Sequence, residues 1–253
     1  MNVSLFVPCY VDQLAPEVAW ATLRVLERAG CRVHYDPAQT CCGQPFLNLG
    51  ARREAKRLAE RHLARFAEAD AVVCPSASCV ATVRRRYAEL GAGGAPDAER
   101  QTQRTFELGE FLVRELGQTK LGARFPYRVA LLQSCHGLRE LGLGTPSEHG
   151  PGAAAEPSPA DVLLAAVEGL ELVSAVRPDE CCGFGGAFSV THPELSGRMG
   201  RARLRAFADA GADYVTSSDL SCLLHLDGIR RREGFGPRAI HLAEILANGA
   251  PAP

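Results

Sequence analysis

The order Cys, Cys-Cys-Gly, Cys occurs twice in this chain, and it limits the possible folds more than any other feature. The first set is Cys9, Cys41-Cys42-Gly43 and Cys79; the second is Cys135, Cys181-Cys182-Gly183 and Cys222. The segments between motifs are 10–40 and 43–78 in the first half and 136–180 and 183–221 in the second, or 31, 36, 45 and 39 residues. The flanks repeat as well: VSLFVPC at 3–9 matches RVALLQSC at 128–135, and ADAVVCPSASC at 69–79 matches ADYVTSSDLSC at 212–222. Self-similarity over such distances indicates one structural unit used twice.

Each unit reads as strands alternating with helices. Apolar runs mark strands near 3–8, 31–35, 70–74, 127–133, 170–175 and 213–217. A helical pattern over 16–29 opens on Pro16 and stops at Gly30, the usual start and stop chemistry. Others cover 51–67, 79–90, 106–116, 193–210 and 220–232. Segment 91–100 reads as a loop, 117–126 as the linker, and 144–159, rich in Gly, Pro, Ala and Ser, as a mobile excursion. The expected fold class is α/β: two homologous β-α-β-α-β-α repeats, 1–120 and 121–253, each with a parallel sheet. Right-handed crossovers bring the carboxyl ends of a repeat's strands to one edge. All three cysteine motifs of a repeat should therefore meet there, at the edge where open α/β sheets bind ligands.

Composition removes several function classes. The 253 residues are 46% hydrophobic and 23% charged, ordinary for a globular chain. Twenty-eight Lys plus Arg against 29 Asp plus Glu leave a net charge of −1, which gives no electrostatic case for nucleic acid or an anionic membrane. The sequence shows no basic leader and no apolar run of about 18 residues, so direct membrane insertion is not expected. A cytoplasmic protein whose ten cysteines are reduced thiols is the reading that follows.

Four thiolates at one sheet edge suit tetrahedral zinc or an iron–sulfur cluster. Structural zinc sites use close CxxC knuckles, and neither repeat contains one. Adjacent cysteines thirty or more residues from their partners suit the larger cluster, although core packing and a redox disulfide remain open at this level. Cys31 and Cys74 lack counterparts and read as buried structural thiols. His136, beside Cys135, and His225, one turn after Cys222, lie near the expected sites, whereas His34, His62, His149, His192 and His241 join no constellation. GFGG at 183–186 fails GxGxxG because residue 188 is Phe, and it reads as tight packing. Arg84–Arg86 and Arg230–Arg232 read as solvated helix faces.

These motifs resemble the cysteine-rich repeats of heterodisulfide reductase and of the iron–sulfur subunits of glycolate oxidase and anaerobic glycerol-3-phosphate dehydrogenase. VSLFVPC at 3–9, QTCCGQP at 39–45, PSASC at 75–79, SCH at 134–136, CCGFGG at 181–186 and HLAEIL at 241–246 more closely resemble the lactate-utilisation protein A family, over nearly the whole chain. That resemblance implies an iron–sulfur electron-transfer subunit of a cytosolic complex that oxidises L-lactate to pyruvate with lactate-utilisation proteins B and C or equivalent redox subunits. The heterodisulfide reductase pattern ends each repeat in CxxC, and the extra positions here are Ser76 and Asp219. The departure points to one four-thiolate [4Fe–4S] cluster per repeat, on Cys9, Cys41, Cys42 and Cys79 and on Cys135, Cys181, Cys182 and Cys222, with Asp219 a candidate oxygen ligand or proton carrier. The alternative readings are a heterodisulfide-reductase-like thiol/disulfide oxidoreductase component and a structural zinc-binding interaction module.

Overall fold

Each half of the chain forms a four-stranded, all-parallel sheet, and the two sheets have the same strand order. The computed structural model describes residues 1–92, 96–149 and 156–249. The first sheet contains β1 (Asn2–Leu5), β2 (Arg32–His34), β3 (Val72–Cys74) and β4 (Thr105–Glu107) in the order β2-β1-β3-β4. The second contains β5 (Arg128–Leu131), β6 (Glu171–Val173), β7 (Tyr214–Ser217) and β8 (Arg238–His241) in the order β6-β5-β7-β8. In both, the chain moves outward to the second strand and then crosses back over the first. The crevice at such a reversal, beyond the carboxyl ends of the strands, is the usual ligand position in open α/β sheets.

The helices of the first half are α1 (Cys9–Leu14), α2 (Pro16–Arg28), α3 (Gln44–Asn48), α4 (Arg52–Arg65), α5 (Ala77–Ala81), α6 (Pro96–Gln103) and α7 (Leu108–Glu110). Wider π turns extend α5 through Arg86 and α7 through Glu115. In the second half a π turn over His136–Glu140 takes the place of α1, followed by α8 (Pro159–Ala165), α9 (Ala187–Thr191), α10 (Pro193–Asp209), α11 (Leu220–Glu233) and α12 (Leu242–Ala247). Proline at the first turn of α2 and α10 costs no hydrogen bond, and α2 buries Val18, Ala21, Val25 and Leu26 on one face. Gly30 then takes φ +82° beyond its end, where the chain turns into β2.

The alternating α/β architecture and its duplication agree with the sequence reading, but each repeat has a fourth strand. β4 and β8 each precede a capping box: Glu107 with Glu110 on α7, and His241 with Glu244 on α12. The helix expected over 106–116 is therefore a strand ending at Glu107 followed by a helix. Pro96–Gln103 is helical, so the loop expected over 91–100 is shorter. Within the expected excursion, Ser147–His149 forms a 3-10 turn and Pro159 opens α8, while 150–155 lie outside the described residues.

The halves share a core. One buried cluster contains Val3, Val18 and Leu26 together with Val129, Leu164, Leu242 and Ile245. The exchange is reciprocal, because α12 of the second half packs on α2 and α7 of the first half packs on α8. Arg28 seals one of these contacts by donating to the carbonyls of Leu121, Leu246 and Ala247 at 3.1, 2.9 and 3.1 Å. Those acceptors include orphan carbonyls at the end of α12. Because the core is continuous, the carboxyl edges of the two sheets are held facing one another.

Candidate functional site

The thiols of each repeat meet at the carboxyl ends of its strands and pair in the same pattern. Cys9 opens α1 directly after β1 and its loop, and its Sγ lies 3.6 Å from that of Cys41. Cys42 lies 3.5 Å from Cys79, which sits in the first turn of α5. In the second half Cys135 neighbours Cys181, each shifting the other's pKa, and Cys182 lies 3.0 Å from Cys222 in the first turn of α11. Thus in each repeat the first cysteine meets the first member of the adjacent pair, and the third motif meets the second member. Among the described residues, no three His, Cys, Asp or Glu side chains are grouped as for a single metal ion.

The two glycines after the pairs are needed for this arrangement. Gly43 and Gly183 adopt φ +89° and +88°, a region that disfavours a side chain, and turn their N–H groups onto the sulfurs of Cys41 and Cys181 at 3.4 and 3.3 Å. A Cβ on Gly183 would stand 2.6 Å from Met199 Cβ and 2.8 Å from the Ser196 carbonyl, whereas on Gly43 it would stand 3.3 Å from the Ala55 carbonyl. Arg203, fully buried on α10, donates to the carbonyls of Val176, Arg177 and Pro178 and so pins the loop that delivers Cys181.

Both sulfur sets face one cavity of about 590 Å3 between the halves, lined by Cys9, Cys42, Cys79, Cys135, Cys181, Cys182 and Cys222. Its walls join by two equivalent contacts. Tyr10, the residue after Cys9, meets Phe184, the residue after the second Cys-Cys-Gly, edge to face at 6.1 Å. His136, the residue after Cys135, lies 3.1 Å from Gln44, the residue after the first Cys-Cys-Gly. One side of the cavity is therefore closed by an aromatic contact and the other by a hydrogen bond.

Charge is distributed unevenly between the sites. The Cys135 and Cys182 thiols beside Cys181, with the Gly183 N–H and the nearby Arg139 charge, drive its pKa far below the ordinary thiol value. Cys135 and Cys182 are pushed up by the neighbouring sulfurs and by burial. In the first half, donation to Cys42 and burial outweigh the hydrogen bond from Cys9, and the Cys41 thiol is raised to about 11. Four soft sulfur donors per repeat, with N–H groups turned toward the adjacent pairs, suit a transition metal or an iron–sulfur cluster.

A family model described as a cysteine-rich domain, CCG, matches residues 3–84 and 129–227. Lactate utilization protein A of Macrococcus caseolyticus is 38% identical over 255 residues, covering 100% of this chain and 98% of that protein. That of Geobacillus kaustophilus is 39% identical over 249 residues, covering 97% of this chain and 98% of its own length. The chain belongs to the lactate utilization protein A family. Members of that family are therefore its relatives over the full length, with both CCG regions included. A crystal structure of a hypothetical protein from Helicobacter pylori superposes with a TM-score of 0.62 at 12% identity. It covers 99% of this chain, which spans only 49% of that one, and the likeness concerns the fold alone.

Several residues behave differently from their sequence reading in this member of the family. Cys31 is buried in the shared core, but Cys74, also fully buried, packs in the same buried cluster as Cys42 and Cys79, two of the eight. Asp219 lines the cavity with both carboxylate oxygens already engaged by donors. His241 and His62, which joined no constellation in the sequence, are both buried. His241 reaches across to the Pro75 carbonyl at 3.1 Å, and His62 stands among Phe6, Phe66 and Tyr87. Arg84 is not on a solvated face; it pairs with Glu110 at 3.0 Å. Glu107, buried at the end of β4, was missed altogether. Its match to His241, in FELGEFL at 106–112 and IHLAEIL at 240–246, was the signal that could have found it.

Proposed function

We propose that this chain is an iron–sulfur electron-transfer subunit of a system that oxidises L-lactate to pyruvate, with one cluster in each repeat. Cys9, Cys41, Cys42 and Cys79 would hold the first, and Cys135, Cys181, Cys182 and Cys222 the second. The observation that carries this reading is the matching arrangement of four thiols in both repeats, with seven of the eight lining one cavity. A bound cluster supplies one-electron chemistry that side chains lack. The protein's part is to release four thiol protons per cluster, orient the sulfurs and limit water. Cys181, lowered by its neighbouring thiols and the Gly183 N–H, gives up its proton more readily than the raised first-half thiols Cys41 and Cys42. Cys79 and Cys222 sit in first helical turns, where the helix dipole favours the anionic sulfur.

The relatives' shared name supports lactate as the metabolite served and a multi-subunit setting, with lactate-utilisation proteins B and C or equivalent redox subunits as partners. Among the described residues no helix is long and apolar enough to cross a membrane, and the proposed site of action is the cytoplasm. The test is anaerobic purification with iron, zinc and acid-labile sulfide analysis, and EPR before and after dithionite. Iron and sulfide in equal amounts with a signal appearing on reduction are expected. Zinc at about two equivalents without sulfide would replace the cluster by structural zinc.

A further inference from the structure

Asp219 places a buried carboxylate among the cysteine-bearing turns of both repeats. Oδ1 accepts the Ser76 hydroxyl at 2.8 Å and the Ser78 N–H at 3.0 Å, and Oδ2 accepts the Ser134 hydroxyl. Ser78 precedes Cys79, Ser134 precedes Cys135, and the Asp219 carbonyl accepts the Cys222 N–H at 3.1 Å. The residue is 1% exposed and lines the same cavity as the cysteines. One backbone N–H and two hydroxyls face the two oxygens, so a carboxylate here has hydrogen-bond partners from the cysteine-bearing turns of both repeats.

The charge is not cancelled locally. No ion pair to Asp219 occurs among the described residues. His241 approaches it, but burial lowers that imidazole to about 4, and its Nε2 faces the carbonyls of Pro75 and Ser218. Ser76 and Asp219 are also equivalent positions of the repeat. Ser76 caps its own helix, by accepting from the Cys79 N–H at 3.3 Å, whereas the Asp219 side chain leaves its helix uncapped and crosses to the other half. A good N-cap residue is used between the halves instead.

We propose that Asp219 is a positioning residue for both metal sites, whose fixed negative charge lowers the reduction potential of a group bound in either repeat. The inference rests on the iron–sulfur reading above. A negative charge disfavours an added electron, and Coulomb interactions reach farther in a buried site than in water. Net charge, hydrogen bonding and burial are the protein's levers on cluster potential.

The test is an EPR-monitored redox titration of the full chain, reconstituted anaerobically, with iron and sulfide measured on each sample. Asp219→Asn keeps the shape and removes the charge. Iron content equal to wild type, with the midpoints of both repeats shifted to more positive values, is expected. If Asp219→Asn folds poorly, the double variant Ser76→Ala/Asp219→Ala removes the charge together with one of its donors, and the same joint shift is expected. Retained iron with unmoved midpoints, or a shift confined to the second repeat, would overturn the proposal. A wild-type protein without iron and sulfide would instead overturn the reading on which it rests.

Discussion

The Ser76 hydroxyl donates to the Asp219 carboxylate at 2.8 Å, joining two residues 143 positions apart that hold equivalent N-cap places in the two repeats. Both stand three residues before a cysteine of the site, so this contact ties Cys79 and Cys222 to a common point. The two sulfur sets consequently open onto one cavity. Several expected behaviours depend on how the glycines, the buried ionisable groups and the paired thiols support that cavity.

Gly183→Ala should be the most damaging single methyl addition at the site. It forces a side chain to φ +88° and into overlap with Met199 and the Ser196 carbonyl. Left-handed strain alone costs on the order of 1–2 kcal/mol, and the overlap adds to it. Gly43→Ala meets only a 3.3 Å approach to Ala55. Urea unfolding should show a larger loss for Gly183→Ala than for Gly43→Ala, and metal analysis should show the deficit in the second repeat. Equal losses would mean that α10 yields as easily as α4.

His62 should make the fold acid-sensitive. Burial lowers its pKa to about 3, and its Nδ1 has no hydrogen-bond partner among the described residues. Between pH 6.5 and 3 the unfolded chain takes up a proton that the folded chain refuses, so stability falls as pH drops through that window. His62→Phe keeps an aromatic ring against Phe6, Phe66 and Tyr87 without a titrating group. Its unfolding midpoint should decline less than that of wild type between about pH 7 and pH 5. An identical decline would locate the acid sensitivity elsewhere.

Glu107 acts in the opposite direction. Burial raises it to about 7, with the Glu110 and Asp219 charges adding to the shift. The folded chain holds its proton above the ordinary carboxylate range, so the contribution to stability is full below pH 4.5 and is lost as pH rises through 7. Glu107→Gln stays neutral and keeps an oxygen for the Glu110 N–H, which Glu107 now accepts at 3.0 Å. The variant should exceed wild type at pH 8 by up to about 3 kcal/mol, and the gap should close toward pH 4.5. A pH-independent difference would contradict this assignment.

What could be read in the sequence was local. A strand ending in cysteine, a glycine after a cysteine pair and a proline opening a helix each announce themselves within a few residues, which is why the sulfurs were expected at the strand ends. β4 and β8 were not legible because three- and four-residue edge strands depend on pairing with β3 and β7, and their apolar residues fit a helical period equally well. The crossing of Asp219 to Ser76, and of His241 to Pro75, goes with the packing of the halves on each other, in which α7 and α12 are exchanged. Neither spacing nor propensity encodes that exchange. Cys74 shows the same limit, since a thiol without a counterpart in the repeat still packs in one buried cluster with Cys42 and Cys79.

Counting iron and sulfide in single-cysteine variants tests most directly whether each repeat holds its own cluster. Cys42→Ser should lose about half of both, Cys182→Ser the other half, and the double variant nearly all. Cys31→Ser, altering a thiol in the shared core, should retain the full content. If Cys42→Ser alone emptied the protein, one group bridging both sulfur sets would replace the two-cluster arrangement, and unchanged iron in both single variants would remove these thiols from the site.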